Sequence, residues 1–192
     1  EPHEPIATEE RFASLYADQG DPLARALYGN ISQMDFHAGR LLAKLDELGL
    51  RDTTFVYFTS DNGPAITRQH PYGSSGPLRS KKGSLYEGGH RVPGIVRWPG
   101  KTRPGTTCDT PINGTDLLPT VCEVVGAAPP ADRVLDGASW LPALEGRPLV
   151  RRVPLYWQFN RSQDAPRMAL RDGDWKILAT FPYALERKAT EE

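Results

Sequence analysis

Apolar residues recur at intervals of three and four between Pro22 and Leu48: Leu27, Ile31, Met34, Ala38, Leu41, Leu45 and Leu48. That spacing predicts one long helix with a single apolar face. Asp21 ahead of Pro22 suits an N-cap followed by proline at the first helical position, and Gly49 is placed to stop the helix. Met34 and Phe36 fall at core or core-edge positions. His37 lies off the apolar face, on the surface. After a short link comes Thr53-Thr54-Phe55-Val56-Tyr57-Phe58-Thr59-Ser60, β-branched and aromatic with little alternation. Such a run predicts a strand buried on both faces, as in a parallel sheet between helices. A long helix, a tight turn and a buried strand make the αβ half of a right-handed crossover.

From Ala65 to Gly89 the chain is polar and glycine-rich without a period. A loop that long is functional or disordered. A shorter strand is expected at 92–98, ending at Pro99-Gly100, and a helix at 115–125, with Asp116 in its first turn and Gly126 as its stop. One further short helix is expected within 139–144. Beyond it the pattern changes. A strand is expected at 153–159, and Asp172-Gly173-Asp174 between two apolar runs predicts a hairpin. The pattern as a whole is α/β, followed by antiparallel strands.

Composition narrows the function classes. At 192 residues the chain is one domain or part of a larger one. With 39% hydrophobic and 24% charged residues, it is neither fibrous nor disordered. The 18 glycines and 18 prolines predict many turns. A net charge of −1 gives no electrostatic reason to expect nucleic acid or an anionic membrane as partner. No apolar run approaches the roughly 20 residues of a membrane helix. Cys108 and Cys122 cannot by themselves make a disulfide framework or a zinc site. The chain starts at Glu1 with no signal pattern and stops in a polar run, so a piece of a longer protein is expected.

Three segments offer chemistry. Asp61-Asn62 follows the first strand, where ligands bind in open α/β sheets. A carboxylate beside an amide oxygen suits a hard cation such as calcium or magnesium, although the same residues are favoured in plain turns. Two ligands also fall short of the six to eight oxygens typical of calcium. Arg79-Ser80-Lys81-Lys82-Gly83 could hold an anion by charge and backbone N–H groups, or could be a solvated loop. In Tyr86-Glu87-Gly88-Gly89-His90-Arg91-Val92-Pro93 the paired glycines imply unusual torsions or a close approach of the chain. His90 is read first as structural, with a ligand role as the alternative. His3, between Pro2 and Pro5, sits on a stiff extended segment that could present an imidazole.

In this order, the segments resemble the sulfatase family of the alkaline phosphatase superfamily. The resemblance rests on Pro2-His3-Glu4-Pro5, Met34-Asp35 with Gly39-Arg40-Leu41-Leu42, Phe58 to Pro64, Leu78 to Pro93 and Thr115-Asp116-Leu117-Leu118-Pro119-Thr120. It implies an alkaline-phosphatase-like sheet flanked by helices. Residues 1–150 would form the carboxyl-terminal half of the catalytic domain, and residues 151–192 the start of a smaller antiparallel β subdomain.

By the resemblance, Asp61 and Asn62 match the family's second pair of calcium ligands, Lys82 matches the lysine that contacts the sulfate group, and His3 matches the histidine near the leaving oxygen. Lys81 stands where the family often has a small residue. The Cys/Ser-x-Pro/Ala-x-Arg motif that yields formylglycine is absent, as is the first acidic ligand pair. The implied activity is hydrolysis of a sulfate ester, a sulfated sugar or aryl sulfate, by the full-length protein, with turnover not expected from this chain alone. The alternatives are a phosphodiester or phosphonate hydrolase of the same superfamily and a non-catalytic binding module. A periplasmic or secreted location is implied by resemblance alone.

Overall fold

The computed structural model describes residues 3, 5–68 and 70–180. In chain order its elements are α1 (Glu10–Ala13), α2 (Pro22–Glu47), β1 (Val56–Thr59), α3 (Glu87–His90), β2 (Gly94–Arg97), α4 (Leu117–Val125), α5 (Leu141–Leu144), β3 (Leu155–Gln158), β4 (Met168–Asp172) and β5 (Trp175–Ala179). β1 and β2 form one two-stranded sheet, and β3-β4-β5 form a second sheet in that order. The chain divides into two compact units. One comprises Glu1–Phe58, Ala65–Ser74 and Val96–Arg103; the other comprises Thr59–Pro64, Ser75–Ile95 and Pro104–Glu192.

The first unit is organised on α2. Asp21 caps the helix, its carboxylate accepting from the Leu23 N–H at 2.8 Å, and Pro22 opens the first turn. The Tyr72 hydroxyl also donates to Asp21. Gly49, at φ +67°, supplies the left-handed residue that ends the helix. α1 lies against α2 at Gly29, where a Cβ would come within 2.8 Å of the Ala13 nitrogen. Phe12, Ala13 and Ala24 are buried around that crossing. Thr8 Oγ1 donates to the Ala26 carbonyl, and Asn30 Nδ2 donates to the Ala7 carbonyl. These bonds tie the segment ahead of α1 to the helix.

Two expectations are corrected in this unit. The apolar stripe of α2 is only partly covered: Leu27, Met34, Ala38 and Leu45 are half-buried, while Ile31 is 42% exposed, Leu41 71% and Leu48 57%. Full burial follows Ala24 and Gly29 instead, because α1 and the turn after it need small residues for close approach. Periodicity marks a face suited to burial without specifying what covers it. Likewise β1 is not buried on both faces: Val56 and Tyr57 are half-buried, while Phe58 and Thr59 are exposed. Within the described residues β1 has only β2 as a strand neighbour.

The second unit carries most of the buried polar structure. Asn113 and Asp116 make a reciprocal capping box over the turn Gly114–Asp116, which leads into α4. Gly126, at φ +68°, ends α4 as expected. Thr120, fully buried, donates from Oγ1 to the Asp116 carbonyl at 2.6 Å and accepts from the Trp140 N–H at 3.2 Å. The short helix appears as α5. The hairpin also appears: Arg171 faces Lys176 and Asp172 faces Trp175 across β4 and β5, with Gly173 at φ +53° in the turn. β3 pairs antiparallel with β4, setting Trp157 opposite Ala169. Leu155 and Ala169 are buried beneath this sheet.

Candidate functional site

The site is built around backbone that only glycine permits. Just past β1 the chain turns at Asp61-Asn62-Gly63, and the Gly63 N–H donates to the Gly89 carbonyl at 2.9 Å. A Cβ on Gly63 would lie 1.9 Å from the Gly88 carbonyl oxygen. On Gly88 it would lie 2.2 Å from the Ser80 oxygen, and on Gly89 2.1 Å from the Ser84 oxygen. The paired glycines therefore serve close approach of the chain to itself. Neither has a positive φ. Three stretches, the turn after β1, the lysine loop and α3, are thereby locked into one node.

The lysine loop is held from both sides. The Lys82 N–H donates to the Pro64 carbonyl at 3.0 Å. The Gln163 N–H donates to the Gly83 carbonyl at 2.8 Å, and Gly83 adopts φ +88° beside the Gln163 side chain. Ser80, at φ 70°, is the one described non-glycine residue with a positive φ. Its hydroxyl donates to Asp164. Hydrogen bonds from Ser80 and Ser84, with the charges of Arg79 and Lys81, hold the Asp164 carboxyl below the usual carboxylate range.

Asp61, Asn62 and Lys82 line one open cavity of about 500 Å³, together with His90, Tyr156 and Trp157. Asn62 Nδ2 donates to the Asp61 carboxylate, so the amide and carboxylate heads converge. That donor set fits part of a hard-cation shell. Among the described residues no three His, Cys, Asp or Glu side chains cluster to complete one.

Behind the cavity wall sits a charged network. Lys176 Nζ donates to Glu87 Oε1 at 2.5 Å and to the Leu85 carbonyl at 3.0 Å, and lies 2.8 Å from His90 Nε2. Arg171, the cross-strand partner of Lys176, reaches the other Glu87 oxygen at 3.8 Å. The His90 ring stacks on Trp157, with centroids 4.5 Å apart and planes inclined by 29°. Burial, with the Lys176 charge, pushes the His90 pKa below the ordinary histidine value. Burial pushes Glu87 up, but the hydrogen bond and charge of Lys176, with His90 and Arg171, outweigh it and leave Glu87 below its ordinary value.

The structure thus brings Asp61, Asn62 and Lys82 to one cavity. Lys81 is not among the residues lining it. His3 is exposed and belongs to the first unit. Sequence reasoning reads His90 first as structural and passes over Trp157, Lys176 and Asp164. A signal exists for Lys176, because the hairpin fixes Arg171 opposite it and places two cations on one sheet position. Asp164 sits in an irregular loop with no such pattern.

A family model described as Sulfatase matches residues 1–127, and one described as N-sulphoglucosamine sulphohydrolase, C-terminal, matches residues 80–187. The chain is 44% identical to the steryl-sulfatase of Mus musculus over 140 residues, 68% of this chain and 22% of that protein. It is 39% identical to the N-acetylgalactosamine-6-sulfatase of Canis lupus familiaris over 136 residues, 70% of this chain and 26% of that protein. The chain therefore spans about a quarter or less of the length of these relatives. Among solved structures, Ps i-CgsB in complex with k-i-k-neocarrahexaose superposes with a TM-score of 0.79 at 27% identity, covering 92% of this chain and 39% of that one. The PsFucS1 sulfatase from Pseudoalteromonas sp. gives a TM-score of 0.74 at 29% identity, covering 92% of this chain and 34% of that one. Among the described residues, no helix is long and apolar enough to cross a membrane.

Proposed function

The chain belongs to the sulfatase family, and from that premise we propose that it is part of an enzyme hydrolysing a sulfate ester R–O–SO₃⁻ to an alcohol and sulfate. The observation that carries this reading is the convergence of Asp61, Asn62 and Lys82 on one cavity. A sulfuryl group in transfer bears negative charge on its oxygens. A cation such as Lys82, held at the cavity before substrate arrives, stabilises that charge without the reorganisation that water must undergo. The backbone bonds from Lys82 to Pro64 and from Gln163 to Gly83 fix the lysine's root, so less ordering is left for the substrate to impose.

Asp61 and Asn62 would hold part of a calcium site, the remaining ligands coming from outside this chain. Bound there, calcium would supply further charge neutralisation at the sulfuryl oxygens. The nucleophile, which the family makes as formylglycine, would come from the same missing part. A sugar ester is the substrate class we propose, since one of the superposing structures holds k-i-k-neocarrahexaose. The alternative of a steroid sulfate draws on the steryl-sulfatase likeness. His3 keeps its proposed role beside the leaving oxygen.

The test is to assay the full-length protein that carries this chain, with calcium, on 4-nitrophenyl sulfate and on bis(4-nitrophenyl) phosphate. Faster turnover of the sulfate supports the proposal. Faster turnover of the phosphodiester would move the assignment to that branch of the superfamily. Turnover of neither would favour a binding module.

A further inference from the structure

Lys176 dictates which nitrogen of His90 carries the proton. An ammonium has only donors, so at 2.8 Å from Lys176 Nζ the His90 Nε2 must accept. The Leu85 carbonyl, 3.2 Å from the same nitrogen, is already served by Lys176 at 3.0 Å. The imidazole is therefore neutral with its proton on Nδ1. Both described hydrogen-bond contacts of the ring, to Lys176 and Leu85, are made by Nε2, and Nδ1 is not among the described buried polar atoms left without a partner. His90 is well enclosed, with 15% of its side chain exposed, and it lines the cavity that holds Lys82.

We propose that the Nδ1–H of His90 is a substrate-binding donor to the sulfuryl oxygens of the bound ester, and that Lys176 is the positioning residue that fixes this tautomer. The proposal rests on the sulfatase reading for the identity of the anion. Three features favour an anionic acceptor over a neutral hydroxyl. Donation from Lys176 to Nε2 polarises the ring and strengthens Nδ1–H as a donor, most of all toward negative charge. The stack on Trp157 holds the ring plane, so the donor is aimed before substrate arrives. Lys82 on the same cavity draws anions to it. The charges facing the imidazole are Lys176 at 2.8 Å and Glu87 at 3.8 Å, with Arg171 and Arg91 reaching Glu87 at 3.8 and 4.0 Å. Burial and Lys176 keep the ring neutral, so the donor persists across the neutral range.

The test uses the full-length protein labelled with ¹⁵N-histidine. Long-range ¹H–¹⁵N spectra should show His90 as the Nδ1–H tautomer, and Lys176→Met should convert it to a mixture. Inorganic sulfate should move the His90 Nδ1–H signal downfield and saturate. An Nε2–H tautomer in the wild type overturns the proposal. So does an unmoved signal while calorimetry registers sulfate binding, or no sulfate binding at all. On 4-nitrophenyl sulfate, His90→Leu should lower kcat by about a hundredfold. His90→Asn, which keeps a donor near Nδ1, should stay within about tenfold of wild type. Equal losses in the two variants, with unchanged melting, would also overturn it. A wild type that shows the tautomer and the sulfate shift but hydrolyses no sulfate ester would refute the sulfatase reading and leave the anion donor standing.

Discussion

Arg151 spans both carboxylate oxygens of Asp116, at 2.5 and 2.7 Å, and Asp116 is completely buried. The same carboxylate accepts from the backbone N–H groups of Asn113 and Ala138 at 2.8 and 2.9 Å. Asp116 thus ties the entrance of α4 to two loops distant in sequence. Removing the arginine leaves a buried charge with only two backbone donors. Arg151→Met should therefore cost about 3–5 kcal/mol. Urea unfolding of the variant against the parent measures this; a loss under about 1 kcal/mol would show that water replaces the guanidinium.

Two glycines should respond to alanine with opposite signs. Gly88→Ala places a methyl group 2.2 Å from the Ser80 oxygen and 2.5 Å from the Arg79 oxygen, both rigid backbone. The node must open, at about 1–3 kcal/mol, and the lysine loop should show faster hydrogen exchange. Gly39→Ala, on exposed helical backbone with nothing within 4 Å of the new Cβ, should gain about 0.5–1 kcal/mol. Thermal unfolding of both variants decides the matter, and a shift of the same sign in both would contradict the packing account.

Local chemistry makes the helices and the hairpin legible in the sequence. Asp21-Pro22, Gly49, Gly126 and Asp172-Gly173 each do what their backbone preferences require. Burial is harder to read, because it depends on what lies opposite. Leu41 has the right spacing and stays exposed, whereas Ala24 and Gly29 are buried by their small size. In the site, Asp61, Asn62 and Lys82 stand out through adjacent residue types and through the family likeness. The Lys176–Glu87–His90 network does not, because it joins residues some ninety positions apart through a sheet register no local pattern specifies. The glycines announce close approach, but the carbonyls they approach emerge only from the fold.

Lys82 and Lys81 should separate by function. In the full-length protein, Lys82→Ala should lower turnover about a hundred- to a thousandfold, as expected for a lost donor aimed at developing negative charge. Lys81→Ala should change it little, since Lys81 is not among the residues lining the cavity. Both variants should melt close to the parent, because loop substitutions at the surface change stability by about 0.5 kcal/mol or less. Steady-state kinetics with 4-nitrophenyl sulfate read the difference. Equal activities, or a larger defect in Lys81→Ala, would reassign the anion contact.

Calcium should bind this chain weakly. Asp61 and Asn62 converge, but no third acidic or histidine ligand joins them among the described residues. Two protein oxygens leave most of a six- to eight-ligand shell to water, with little gain over the hydrated ion. Titration calorimetry on the 192-residue chain should show at most millimolar affinity. Tight binding abolished by Asp61→Ala would mean that the site is complete within this chain.

Stability should fall in two stages on acidification, the first controlled by His90. Its folded-state pKa lies below the ordinary value of about 6.5 because burial and Lys176 disfavour the imidazolium. Between the folded and unfolded values the unfolded chain binds more protons, so stability rises with pH through that window and is complete above about 6.5. As pH falls below 6.5 the contribution is lost, until the native ring is protonated as well. Asp164 and Glu87 are depressed carboxylates, so their contributions persist to lower pH. They are lost only as pH falls below about 4. Urea midpoints compared at pH 7.5 and 5.5 should drop in the parent and drop less in His90→Asn, which cannot take up that proton. A parent midpoint that is flat between these pH values, or a drop that His90→Asn leaves untouched, would remove His90 as the titrating group.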